Sequence, residues 1–359
     1  MEGIDALTGL TELQITDCRK LATLAGLGSH PGLTELTVDG CSALRDARGL
    51  GALRGLTYLC FKDCAHLTTL EGLQGSPIDR FRAEGCPALA DFSALEHAPT
   101  LRSLDALRLD SFTDFSQLPE MPLVDEMRFI GCPSLRALDG MRAYPSLRKL
   151  MIWRCNALKS VHGIGHLPAL SELRLWDVPL VTTLGEPGGL PDTDLLVLTN
   201  FPLLTDIGAL AGPHLPRLEL INLPLVRSLA FLEAKPELRR LRLSDCPQVS
   251  DLPAQLTHLE AYGLPWPDLS PLKRLTALTT TALRLRDLTD IGGIGAFPEL
   301  ERLSLSGCDR LEDWTPLLEA PRLRELQLGQ DYGYERPYTS VLQRLLAAGV
   351  TQVPWHVSW

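Results

Sequence analysis

The stretch Leu33-Thr34-Glu35-Leu36-Thr37-Val38-Asp39-Gly40-Cys41 decides the fold, because its spacing returns along the whole chain. Reduced to its apolar positions it reads Leu33-x-x-Leu36-x-Val38-x-x-Cys41, and before it stands Leu10-x-x-Leu13-x-Ile15-x-x-Cys18. After it come Leu56 to Cys64, Ile78 to Cys86, Val124 to Cys132, Leu147 to Cys155, Leu238 to Cys246 and Leu300 to Cys308. Val178, Phe201, Leu223, Leu264 and Leu288 replace the cysteine elsewhere. Eight of the nine cysteines thus share one phase of a roughly 23-residue repeat, and a fixed period of this length means a solenoid.

Apolar residues at positions 1, 4, 6 and 9 of each unit point inward, and Leu21, Leu24 and Leu27 of the first unit line the return path. No unit can bury that face alone, so stacking supplies the core. About fifteen strand-bearing units are expected, starting near 10, 33, 56, 78, 101, 124, 147, 170, 193, 215, 238, 256, 280, 300 and 323. Proline stands two residues before the first apolar position at Pro31, Pro99, Pro145, Pro168, Pro236, Pro298 and Pro321. Its fixed φ and missing N–H suit the last loop residue before a strand. Two stretches leave the register open: Leu104-Leu107-Leu109 competes with Leu101-Leu104, and the units near 256 and 280 are irregular.

The repeat resembles the leucine-rich repeat family. That resemblance implies an α/β solenoid, a horseshoe with a parallel sheet on its concave side and a mostly irregular or 3-10 convex side. One array over 1–330 is expected, followed by a C-terminal cap over 331–359. In the cap, Thr339 to Ala348 has helical spacing, with Val341, Leu342, Leu345 and Leu346 on one side and Gly349 as the stop. Val350 to Trp359 alternates like a closing strand. At the other end Ile4, Leu7 and Leu10 already carry return-path spacing, as if the array opened partway through a unit; a short improvised cap is the alternative.

A net charge of −10 on 359 residues argues against a general nucleic-acid binder, since phosphate recognition rests on concentrated positive charge. No run of apolar residues is long enough for a membrane span and no signal-peptide pattern opens the chain, so a cytoplasmic location is expected. The ladder cysteines, Cys18, Cys41, Cys64, Cys86, Cys132, Cys155, Cys246 and Cys308, read as small buried groups whose weak S–H donors satisfy loop carbonyls. They lack the Cys-x-x-Cys pairs of a metal site. Cys60 falls outside the ladder, at a position expected to face solvent. His162 and His166 are the nearest approach to a metal pair, but Gly163 and Gly165 interrupt the segment, and neither a metal nor a cofactor is expected. Trp266 and Trp314 fall on return segments and read as packing. Asp17, Asp63, Asp177, Asp245 and Asp287 fall at strand-end turns, where aspartate commonly accepts backbone N–H bonds.

Positions 3, 5 and 7 point outward on the strand. The fifth-position column is expected to hold six arginines, Arg82, Arg108, Arg128, Arg174, Arg242 and Arg284. Guanidinium offers forked donors to carboxylates and phosphates, so the stripe suggests an acidic ligand. The competing reading pairs these arginines with Glu84, Asp110, Glu126, Glu172 and Glu219. The seventh column holds Ile130, Trp153, Trp176 and Ile221, and beside them lie Met151, Leu195 and Val197. Two tryptophans at one phase of neighbouring strands would make an apolar patch, the usual mark of a binding site. The competing reading lets the two rings cover each other.

None of the spacings that mark a catalytic serine elbow, a zinc-protease helix or a phosphate loop is present, so a binding module is expected and not an enzyme. Its ligand would be a protein held on the concave face. The unit Leu-x-Leu-x-x-Cys-x-x-Leu-x-x-Leu also resembles the repeat arrays of NLR/NACHT-type immune receptors of the STAND NTPase class. That resemblance implies a sensor array restraining an upstream NTPase. The 28 arginines against 6 lysines, with abundant Ala, Gly and Leu, suggest a bacterial source and thus a role in antiphage defence. A secreted or injected effector that binds host proteins, or an inhibitor-like scaffold, stays open beside it.

Overall fold

A computed structural model describes residues 7, 9–141, 144–185, 190–209, 214–329 and 339–352. The chain divides into two compact units, Met1–Asp192 with Ala209–Ala211, and Thr193–Gly208 with Gly212–Trp359. Each is a parallel solenoid whose strands follow one another in chain order.

The first unit carries β1 (Glu12–Thr16), β2 (Glu35–Asp39), β3 (Tyr58–Lys62), β4 (Arg80–Glu84), β5 (Ser103–Leu107), β6 (Glu126–Ile130), β7 (Lys149–Trp153) and β8 (Glu172–Trp176). The second carries β9 (Leu195–Thr199), β10 (Arg217–Ile221), β11 (Arg240–Ser244), β12 (His258–Tyr262), β13 (Thr280–Arg284), β14 (Arg302–Leu305), β15 (Glu325–Leu328) and β16 (Thr351–Gln352). Within each unit neighbours pair in parallel, shifted by one repeat, as Glu12 opposite Glu35 and Arg217 opposite Arg240. Every strand is short because it alternates for at most five residues: in β4, Phe81 and Ala83 are buried while Arg80 and Arg82 point away.

Strands begin two residues past the expected unit starts throughout, except at one place. Leu278, not residue 280, opens the unit of β13, which places Thr281 and Leu283 in the core. The ambiguity near 101 resolves toward Leu101 and Leu104, both buried. Asp105 therefore pairs in register with Arg82 and Arg128.

The residue after most strands takes left-handed backbone: Asp17, Asp63, Arg108, Arg154, Asp177, Asn200, Asn222 and Asp245 lie at φ between 48° and 60°. Its N–H donates to the last carbonyl of the following strand, as Asp17 to Asp39 at 2.8 Å and Gly131 to Trp153 at 2.7 Å. Tolerance of this conformation, which Asp, Asn and Gly share, accounts for most of the turn residues. Gly40 is needed for a second reason, since a Cβ there would stand 2.6 Å from the Asp17 carboxylate. Asp287, also expected at such a turn, is not left-handed. Return paths are 3-10 turns such as Ala25–Leu27 and Leu50–Ala52, burying Leu27 and Leu50. Phe112, Phe115, Phe129 and Tyr144 thicken the core of the first unit, with ring centroids 4.7 Å apart for Phe115 and Phe129. Trp266 and Trp314 are buried in the second unit, as packing residues should be.

The thiols donate upward to the sixth-position carbonyl of the preceding strand. Cys64 reaches Val38 at 3.6 Å, Cys132 reaches Ala106 at 3.5 Å, Cys155 reaches Phe129 at 3.7 Å and Cys246 reaches Leu220 at 3.6 Å. Cys41, Cys86 and Cys308 do the same more loosely. Cys18 departs from the expectation and is exposed, because among the described residues no strand precedes β1 to cover it. Cys60 departs in the other direction. It is only 5% exposed, lying on β3 between Thr37 and Arg82.

Helix α1 (Thr339–Ala347) buries Val341 and Leu345 but leaves Leu346 45% exposed, so its packed stripe is narrower than the spacing predicts. Gly349 at φ 91° follows it, and β16 pairs with β15 through Thr351 opposite Glu325. Residues 1–6, 331–338 and 353–359, which carry Ile4, part of the expected cap and most of its closing strand, lie outside the described residues. No helix among the described residues is long and apolar enough to cross a membrane.

Candidate binding site on the strand face

In the first unit the register sets Ile130 opposite Trp153 and Trp153 opposite Trp176, with Met151 two residues along β7. All four are half-buried. The two indoles meet edge to face, centroids 5.9 Å apart and planes at 81°, an arrangement that suits the ring quadrupoles. Trp153 donates its Nε1–H to Asp177 Oδ2 at 2.8 Å. The Arg154 guanidinium lies 4.9 Å from the Trp153 ring centre and its Nε stands 3.7 Å from the same carboxylate. Arg174 lies 5.9 Å from the centre of the Trp176 ring.

The rings do cover each other in part, yet both keep solvent-facing surface. Trp176 Nε1 is buried without a hydrogen-bond partner, a state that costs roughly 1–3 kcal/mol when nothing compensates it. Arg154 and Asp177 were not read from the sequence as site residues. Their signal was position: both directly follow a tryptophan at the strand-end turn, where Arg154 covers the ring just before it and Asp177 reaches the ring of the preceding repeat.

In the second unit Leu195 and Ile221 are half-buried, but Val197 is only 2% exposed. It does not belong to an exposed patch, because its short side chain sits beside its longer register partner Glu219. The apolar surface of the strand face is therefore concentrated, in the first unit, on the tryptophan pair.

Five of the six expected arginines are neutralised internally. Arg82 pairs with Glu84; Arg128 with Glu126 at 2.9 Å and Asp105 at 3.6 Å; Arg174 with Glu172; Arg242 with Glu260 at 3.6 Å and Glu219 at 4.0 Å. Arg108 leaves the fifth column altogether. It occupies the left-handed turn after β5 and reaches Glu84 at 2.9 Å and Asp63 at 3.4 Å. Arg284 leaves it too, standing opposite Tyr262 at the end of β13 while Ala282 takes the fifth place. The arginine stripe is thus a charge-compensated ladder, interrupted by Asp105.

Titration follows the packing. Burial raises the Asp105 carboxyl, outweighing Arg128 and Arg82, which lower it. Glu84 is also partly buried, but Arg82 and Arg108 hold it below the ordinary carboxylate range. Burial pushes the thiols of Cys41 and Cys246 up to about 11, which makes them poor nucleophiles at neutral pH. Among the described residues no group of three or more His, Cys, Asp or Glu side chains could hold a metal ion, and His162 and His166 gather no such set.

An internalin from Listeria monocytogenes matches over 92% of this chain and 89% of its own, with a TM-score of 0.54 and 17% identity. The chain has the leucine-rich repeat fold. A leucine-rich repeat protein of Leptospira interrogans aligns over 98% of this chain and 97% of its own at TM-score 0.46 and 16% identity. A TLR13–ssRNA13 complex aligns over 84% and 62% at 0.46 and 16%. No family model matches the sequence, and no curated protein does. Within the leucine-rich repeat unit, the tryptophans occupy strand positions that the core does not require, so packing of the repeat alone does not explain them.

Proposed function

We propose that this chain is a non-catalytic recognition module that binds a protein on its strand face, with Trp153 and Trp176 as the energetic centre. The observation that carries the reading is the edge-to-face pair itself: two large rings held in fixed geometry by Asp177 and Arg154 on a face open to solvent. Pre-fixed aromatic and arginine side chains lose little entropy on binding and dominate interface energies.

The finer reading is a sensor array of a bacterial NLR-like defence protein, cytoplasmic and joined to an upstream NTPase. The resemblance of the repeat unit to such receptors supports it. So do nine free cysteines, since thiols persist in a reducing compartment.

The test uses the full chain and a Trp153→Leu/Trp176→Leu variant of matched thermal midpoint, each as bait in host extract with and without phage challenge. A protein retained by the native chain and lost by the variant, then reconstituted from purified components, supports the reading. Equal retention by both sinks the tryptophan site.

A further inference from the structure

Among the described residues Arg284 is the one arginine of the expected six that forms no ion pair, and the reason is a missing residue. Ala261 and Leu264, Leu243 and Cys246, and Leu305 and Cys308 are all separated by two residues, whereas buried Leu285 follows Leu283 after one. The neighbouring turns each insert a left-handed residue, Asp245 at φ 53°, Gly263 at 61° and Gly307 at 55°; the turn after β13 has none. Drawn in by one residue, that turn leaves a recess of about 620 Å³ at the strand ends of the second unit, bordered by Tyr262, Pro265, Arg284, Arg286, Asp287 and Asp309.

The floor is bare by necessity. A Cβ at Gly263 would stand 2.2 Å from the Asp245 carboxylate, and one at Gly307 would touch the Arg284 side chain at 3.4 Å. Two of the acidic groups are already engaged: Asp287 by Arg310 at 3.0 Å, and Asp245 by the Ser244 hydroxyl at 2.8 Å. The side chains of Arg284, Arg286 and Asp309 make no hydrogen bond or ion pair with the described residues, and all three residues are exposed.

We propose that this cleft is a second binding site, separate from the tryptophan pair, which receives a carboxylate of a peptide segment on Arg284 and Arg286. Two guanidinium groups at one recess provide forked, charge-assisted donors for a carboxylate. Asp245, Asp287 and Asp309 around them disfavour a doubly charged phosphate and leave Asp309 to meet a cationic side chain of the same segment. Pro247, Leu264 and Pro265 supply apolar wall for the peptide body. The site therefore selects a segment of mixed charge over a polyacidic one.

The experiment is fluorescence polarisation of the full chain with labelled acetyl-(Glu-Lys)3-amide, hexaglutamate and hexalysine, with inorganic phosphate as competitor. The mixed peptide should bind tightest. Arg284→Ala/Arg286→Ala should weaken it at least tenfold, Arg284→Lys by less, and Trp153→Leu/Trp176→Leu not at all. Because both arginines are exposed, the thermal midpoint of the double alanine variant should match the native chain. No binding by the native chain at millimolar concentration, equal binding by the arginine variant, or displacement of the peptide by a lower concentration of phosphate would each overturn the proposal.

Discussion

Trp153 of one repeat donates its indole N–H to Asp177 of the next at 2.8 Å, so the position of a surface ring is fixed by a turn residue that lies 24 positions away in sequence. Asp177 can serve because its left-handed backbone at φ 53° ends β8 at the height of the Trp153 ring. Asp177→Gly keeps that conformation and removes the acceptor. We expect a loss of about 1.5–3 kcal/mol in unfolding free energy, the range for a hydrogen bond to a charged group, and red-shifted tryptophan emission. Asp245→Gly shares the backbone but serves no tryptophan, and should leave the emission unchanged; equal spectra for the two variants would count against the clamp.

Thiol accessibility tests the ladder. Cys18 alone among the nine cysteines is exposed, so a thiol reagent applied to the native protein should modify one group quickly and the other eight only upon unfolding. Cys18→Ser should abolish the fast phase. A fast phase of two or more groups would mean that the buried ladder opens easily.

Asp105 is held against its ionisation. Its carboxyl is raised in the folded chain, so protonation favours folding, and this contribution is lost as pH rises from the ordinary aspartate value of about 3.9 through the folded value. Asp105→Asn removes the charged form, and Arg128 keeps its pair with Glu126. The variant should be more stable than the native chain at pH 7, with the difference shrinking toward pH 4. Denaturant melts at both pH values read the sign directly, and a destabilised variant at pH 7 would show that the Arg128 pair outweighs burial.

His214 behaves oppositely. It lies between Asp194 at 2.7 Å and Glu237, which raise its pKa. Its protonated form is therefore favoured in the folded state, and the stabilisation is complete below about pH 6.5 and fades as pH climbs through the raised value. Solvent exposure keeps the effect small. His214→Gln should lower the thermal midpoint at pH 6 more than at pH 8.5; the reverse order would refute the pairing.

Much of this molecule is legible in the chain because a repeat reports its own phase. Leu36, Val38 and Cys41 recur at a spacing that only stacked short strands can bury, and the starts of fourteen of fifteen units followed from it. Register failed where two leucines competed for one place. Leu104 and Leu107 offered a frame that carried Arg108 into the fifth column, but burying Leu101 and Leu109 together admits only the other frame, and Asp105 took the place. At β13 the shortened turn moved Arg284 in the same way.

By itself the sequence determined the solenoid, its parallel strands, the buried thiols and the row that holds Trp153 and Trp176, since these depend only on which residues share a phase. Tertiary structure decided what each outward side chain does. An arginine reads as a ligand contact until its neighbour is known, and that neighbour can come from another repeat: Glu84 and Asp63 for Arg108, Asp177 for Trp153 and Arg154. Burial of Cys60 and Val197 followed from the longer side chains beside them. Periodicity fixes the direction in which a side chain points, whereas its exposure and charge compensation are set by the side chains beside it: some stand two residues along its own strand, as Glu84 does to Arg82, and others lie a repeat or more away and become neighbours only when the coil closes.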